Sequence, residues 1–293
     1  MVQLNRSGLH RGGARVAVVV AALLLGGGAH EAVSAAAAGV GGTTGTVQIL
    51  GPTRGDGIER VIDVLTHQIG LTLPAGTRVH VYTTRETFRR GLVRDAALGE
   101  NGADELAAFA MGIARPGRAL LNGRLSDGGS EWLRLVAHEL THVAQFDLAG
   151  GEGRAEQWLA EGMAEHVAFQ TLERLGVGSV AQHRRTALAR VQQQPAFAHR
   201  RLDLSTLGSP RDFTLRHQRE GSVETYHLTF LLADYLIERH GFGAMLQYFA
   251  RLKRQPSEAA FRAAFGYSIA SFETQVLAHL QALSPSANGE PLN

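Results

Sequence analysis

The spacing of apolar positions along this 293-residue chain changes near residue 129. Before it, short alternating runs interleave with helical ones. Arg78 to Thr83 alternates, with Val79 and Val81 on one side and His80 and Tyr82 on the other, which predicts a strand with His80 and Tyr82 facing outward. Thr46 to Leu50 predicts a shorter strand. Ile58, Val61, Ile62, Leu65 and Ile69 recur at helical spacing, and Arg85 to Leu92 reads as a short helix. Ala107 to Ala114 and Ala119 to Leu121 predict a hairpin that turns at Arg115-Pro116-Gly117-Arg118. After Gly129 the pattern is helical over 131–148, 155–175, 178–194, 223–240, 243–253, 257–265 and 268–283. Pro195, Gly208, Pro210 and Gly221 mark 195–222 as a long irregular connection. The expected class is α+β: a small mixed α/β lobe with a short sheet over 46–126, then a mainly helical lobe over 128–283 with a cleft between them.

The ends of the chain read differently. Arg6, Arg11 and Arg15 precede an apolar run, Val16 to Leu25, and Val33-Ser34-Ala35 fits a small-x-small cleavage rule. Residues 1–35 are therefore expected to be a signal peptide, because the uncharged run is shorter than the ~18 apolar residues of a membrane span. Export to the periplasm or medium follows, with membrane contact expected only if the segment stays uncleaved. Residues 36–45, rich in Ala, Gly and Thr, read as a linker, and 284–293 as a disordered tail. Arg54-Gly55-Asp56 reads as a turn before a helix. The chain has no Cys, so neither a lipid-modified Cys nor a disulfide can form. Net charge is only +2, and no nucleic-acid-binding motif is present.

Candidate chemistry concentrates in His138-Glu139-Leu140-Thr141-His142, an instance of the H-E-x-x-H zinc-protease pattern. Trp132, Leu133, Val136, Leu140, Val143 and Phe146 place it on a helix, with Gly128-Gly129-Ser130 as break and N-cap. Residues i and i+4 share a helix face, so His138 and His142 can aim two nitrogens at one ion. Glu139 lies about 100° round the same helix, where it can reach water without ligating the metal. A second amphipathic helix follows with Gln157-Trp158-Leu159-Ala160-Glu161-Gly162-Met163-Ala164-Glu165-His166.

Together HELTH and WLAEGMAEH resemble the gluzincin metallopeptidases, and most the bacterial peptidase MA-like domain group. The match is strong over about 40 residues. The metzincin pattern is excluded, since Gln145 stands where it needs Gly and Leu148 where it needs a third His. The resemblance implies that Glu161 is the third zinc ligand and that Glu165 orients a zinc-bound His. It also implies an oxyanion donor from the downstream helical region. Tyr226 is the first candidate and His227 the second, because Tyr226 to Gly241 is similar to the family's Y…YLIERHG segment.

Two His and one carboxylate leave zinc's fourth position for water, as catalytic sites do, and the chain has no Cys to close a structural site. The expected activity is hydrolysis of peptide bonds in a peptide or protein substrate, with one Zn2+ per chain and Glu139 as general base. The resemblance implies that the strand over 107–114 pairs with substrate backbone. Phe109-Ala110-Met111-Gly112-Ile113 lacks the G-x-M-E-N motif of the aminopeptidase relatives, which points to an endopeptidase. Two other readings remain at this stage: a non-proteolytic binding or assembly module, and a hydrolase of a non-peptide amide such as cell-wall material. His80, His183, His199, His217, His240 and His279 lack a second ligand at helical spacing, and His166 reads as a satisfied or surface residue.

Overall fold

The computed structural model describes residues 19–21, 47–51, 56–123, 129–194, 197 and 201–283. The fold is α+β. Its strands are β1 (Val19–Ala21), β2 (Gln48–Leu50), β3 (Arg78–Tyr82), β4 (Gly112–Arg115) and β5 (Arg118–Asn122). They form one mixed sheet in the order β1-β4-β5-β3-β2. β2, β3 and β5 run parallel, while β4 is antiparallel to both β5 and β1. The β4–β5 hairpin turns at Pro116-Gly117 as expected, and Gly117 takes a φ of 70°, a left-handed value that favours glycine. The linker, the tail, Arg54-Gly55 and all of the leader except β1 lie outside the described residues.

Helices cover both faces of the sheet. On one side lie α1 (Asp56–Asp63, continuing as a wider π turn to Ile69) and α4 (Ser130–Ala149), packed on Val79, Val81, Ala114, Ala119 and Leu121. On the other lie α2 (Arg85–Arg94) and α3 (Glu100–Phe109), packed on Tyr82, Ile113 and Leu120. This second layer corrects two expectations. His80 and Tyr82 are buried rather than outward, and the Tyr82 hydroxyl donates to Asp95 Oδ2 at 2.6 Å. The strand expected from Ala107 is the end of α3 instead, because Ala103, Leu106 and Ala107 form a helical apolar stripe. Only Gly112–Arg115 is strand.

The second half is helical: α5 (Gln157–Arg174), α6 (Val180–Gln192), α7 (Pro210–Glu220), α8 (Ser222–His240), α9 (Phe242–Arg251), α10 (Ser257–Phe265) and α11 (Ile269–Ala282). Much of the expected irregular connection 195–222 is ordered as the 3-10 turn Leu204–Leu207 and α7. Ser209 caps α7 by accepting from the Asp212 N–H, and Pro210 occupies the first turn, where its missing donor does no harm. The proline thus starts a helix rather than breaking one. α4 is capped by Gly129, and Ser130 is its first helical residue.

α4 and α5 are buried on nearly every side, which is how a central helix reads. α5 approaches α8 closely at Gly162, where an added Cβ would overlap the Thr229 carbonyl oxygen. Gly162→Ala must therefore push the two backbones apart. Overpacking of about 1–3 kcal/mol outweighs the ~1 kcal/mol gain in helix propensity, so the variant is expected to unfold at lower denaturant, read by circular dichroism.

Candidate metal centre

His138 and His142 project from one face of α4 toward Glu161 on α5. The two Nε2 atoms are 3.0 Å apart, and Glu161 Oε2 lies 3.3 Å from that of His138 and 3.5 Å from that of His142. Donor atoms on a tetrahedron of ~2.0–2.1 Å radius sit about 3.3 Å apart. The three inward atoms therefore already span a triangle of the size that one ion requires. All three residues are buried, and Glu161 Oε2 has no hydrogen-bond donor. A buried carboxylate oxygen left this way is costly unless a cation meets it. The group is suited to hold a metal ion.

Each of the three residues is held through its far atom. His142 Nδ1 lies 2.8 Å from Gln145 Oε1, which can only accept, so Nδ1 carries the proton and Nε2 keeps its lone pair for the site. The Gln145 amide in turn donates to the Ala160 carbonyl at 2.9 Å, tying α4 to the residue before Glu161. His138 Nδ1 faces Glu165 Oε1 at 3.0 Å, the contact expected for Glu165. Arg134 Nη1 donates to both Glu165 oxygens, at 2.7 and 2.8 Å. Gln157 Nε2 donates to Glu161 Oε1 at 2.7 Å and leaves Oε2 pointing inward. Such outer partners fix ring tautomers and ligand direction.

Glu139 sits beside this group, fully buried, with neither oxygen hydrogen-bonded. Its carboxyl packs on Gly112 of β4, where an added Cβ would stand 2.8 Å from Oε1. The absent side chain at Gly112 thus makes room for the carboxylate. In the metal-free protein, burial pushes Glu139 up to about 8. Burial has the opposite outcome at Glu161 and Glu165, where the neighbouring His138, His142 and Arg134 outweigh it and hold both at about 2. For His138, Glu161 and Glu165 outweigh burial and raise it to about 10.

The downstream residues divide. Tyr226 is buried, its ring centroid 6.1 Å from that of His138. With Glu161 it lines a cavity of about 290 Å³ between α3, α5, α7 and α8. His217, from α7, lines the same cavity, stands edge-to-face on Tyr226 at 5.9 Å, and has a buried Nδ1 without a hydrogen bond. Its place beside the centre was missed, because α7 was not expected as an element and no spacing links residue 217 to residue 138. His227 does not line the cavity. His166 is satisfied by Asp234 at 3.1 Å, His240 meets the Tyr267 hydroxyl at 2.8 Å, and His183 stacks on Phe169. His199 lies outside the described residues. No protein-family model matches the sequence, and no curated protein matches it significantly.

Two outcomes are expected. Gln157→Leu leaves the fold intact but lowers metal affinity about 10–100-fold, measured by competition with a chromogenic chelator. From these four groups the metal-free protein is expected to be most stable in a narrow window near pH ~5, just above the ordinary 4.5 of the carboxylates. Below that window the stabilisation from ionised Glu161 and Glu165 is lost as pH falls toward about 2. Above it, Glu139 ionises first in the unfolded chain, and His138 loses its charge as pH approaches about 10. Urea midpoints measured across pH in the presence of a chelator check this.

Proposed function

We propose that this chain is an exported zinc metallopeptidase of gluzincin type, acting as an endopeptidase. The observation that carries the reading is the convergence of His138, His142 and Glu161 at tetrahedral spacing beside an unpartnered carboxylate, Glu139. Two imidazoles and one carboxylate suit zinc best among common divalent ions. A zinc ion held by these residues would polarise the scissile carbonyl and activate a water.

The residues of the chain do the rest. Glu139 accepts a proton from the attacking water and returns it to the leaving nitrogen. Its carboxyl, buried beside the metal-binding group and without a hydrogen-bond partner, is free to take and give that proton. Tyr226 supports the developing oxyanion through its hydroxyl. Its contact with the His138 ring favours it over His227. Glu165 and Arg134 keep His138 in the productive tautomer.

Substrate is expected to lie along β4. In the full chain the outer edge of β4 pairs with β1, in the register Val19↔Ala114, Val20↔Ile113 and Ala21↔Gly112. Backbone pairing with a substrate at that edge requires β1 to leave, and cleavage after Ala35 removes it. Export is read from the leader. Among the described residues, no helix is long and apolar enough to cross a membrane.

The test is digestion of a mixed peptide library by zinc-loaded residues 36–293, beside Glu139→Gln. The wild type is expected to cleave, and the variant to lose about 10²–10⁴-fold in rate while binding zinc equally. Equal cleavage by both, or none by zinc-loaded wild type, rejects the peptidase reading.

A further inference from the structure

A second cavity lies away from the metal centre, at the end of α9. Its volume is about 440 Å³, and Gln247, Ala250, Arg251, Lys253, Arg254 and Gln255 line it. Lys253 packs beside Gly150, where an added Cβ would stand 3.2 Å from the Lys253 Cγ. Gly150 caps α4 eight residues beyond His142, which is about 12 Å along the helix axis. Three of the lining residues are cations and none is acidic. Arg134, Arg184 and Arg216 are each held by a carboxylate, those of Glu165, Asp234 and Glu220. By contrast, Arg251, Lys253 and Arg254 have no ion pair and no side-chain hydrogen bond among the described residues. Capping of α9 does not use them either. The Arg251 carbonyl accepts from the N–H groups of Arg254 and Gln255, and the Leu252 carbonyl accepts from Arg154. Two buried atoms on the lining lack partners as well: Nε of Arg251, a donor, and Oε1 of Gln255, an acceptor. Leaving such atoms unmet is costly.

We propose that this cavity binds a phosphomonoester on a small organic carrier. Such a group brings about two negative charges and three acceptor oxygens at neutral pH. These match in number the three cationic side chains of one short segment. Guanidinium forks and an ammonium are the donors that suit them. A carboxylate brings one charge and two oxygens, and leaves a cation unmatched. The volume falls within the ~300–1,000 Å³ range of small-molecule pockets. A bare phosphate fills only part of it, which leaves room for the carrier along Ala250 and the aliphatic stems of the cations. A hydroxyl of the carrier supplies the donor that Gln255 Oε1 lacks.

Lys253 is the only Lys in the chain, against 28 Arg, so amine chemistry reports this cavity with the N-terminal amine as internal reference. The probe is pyridoxal 5′-phosphate on the full chain. Its aldehyde condenses with the Lys253 amine to an imine, releasing water. Borohydride then reduces the imine to a stable secondary amine, which peptide mapping locates. The ratio of Lys253 label to N-terminal label is expected to be about tenfold higher than with 5-deoxypyridoxal, which lacks the phosphate. Glucose 6-phosphate is expected to protect Lys253, inorganic phosphate to protect it more weakly, and acetate not at all. Arg254→Gln, at an exposed position, and Arg251→Gln are each expected to lower the ratio about tenfold with circular dichroism unchanged. Equal ratios with the two aldehydes, or a ratio untouched in both variants, overturns the site. Better protection by succinate than by either phosphate also overturns it, and assigns the cavity to a carboxylate instead.

Discussion

The structure depends on a cluster of ionisable side chains held between two buried helices. α4 and α5 pack in the middle of the molecule, where water cannot compensate polar atoms, yet their contact face carries His138, Glu139, His142, Glu161 and Glu165. Such a face is stable only if nearly every atom has a partner. The far atoms have theirs: Gln145 for His142, Gln157 for Glu161, and Glu165 with Arg134 for His138. The near atoms converge on one point. Folding thus builds the ligand set in advance, and the inward atoms are those left for a cation. Only Glu139 stands outside the scheme, buried with two unpartnered oxygens. In the proposed reaction it is the group that must be neutral at one moment and ionised at the next.

The rest of the fold places this cluster. α4 lies on the sheet through its apolar side, which turns the two histidines toward α5. Gly112 in β4 leaves space for Glu139, and Gly162 in α5 lets α8 come close enough to bring Tyr226 against His138. These two glycines act by absence of a side chain, one at the sheet and one at a helix crossing. A third, Gly102, leaves open the cavity that leads away from Glu161.

Much of this was legible in the residues themselves. The i,i+4 histidines, the helical spacing around them and the second helix with Glu161 and Glu165 depend on local periodicity, which a sequence carries directly. Apart from α7, the helices after residue 129 fall within a few residues of their expected bounds, and the Pro116-Gly117 hairpin turns where expected. What escaped depends on contacts between distant segments. Gln145 was noted only for what it is not, and its bond to Ala160 exists only once α5 is docked. Arg134 and Gln157 matter only through Glu165 and Glu161. Ala107 to Phe109 could serve strand or helix, and the Leu106–Ala107 stripe against the sheet decided for α3. Pro210 read as a breaker until Ser209 made it a helix start. With α7 unseen, His217 had no route to the site.

The central claim is that His138, His142 and Glu161 bind one ion and leave a coordination position open. X-ray absorption on the zinc-loaded protein tests it directly, alongside metal content of Glu161→Ala. The account predicts one zinc per chain, two imidazole ligands, two further oxygen ligands of which one is exchangeable, and loss of stoichiometric zinc in the variant. A closed shell of four protein ligands, or full zinc retention without Glu161, would contradict it.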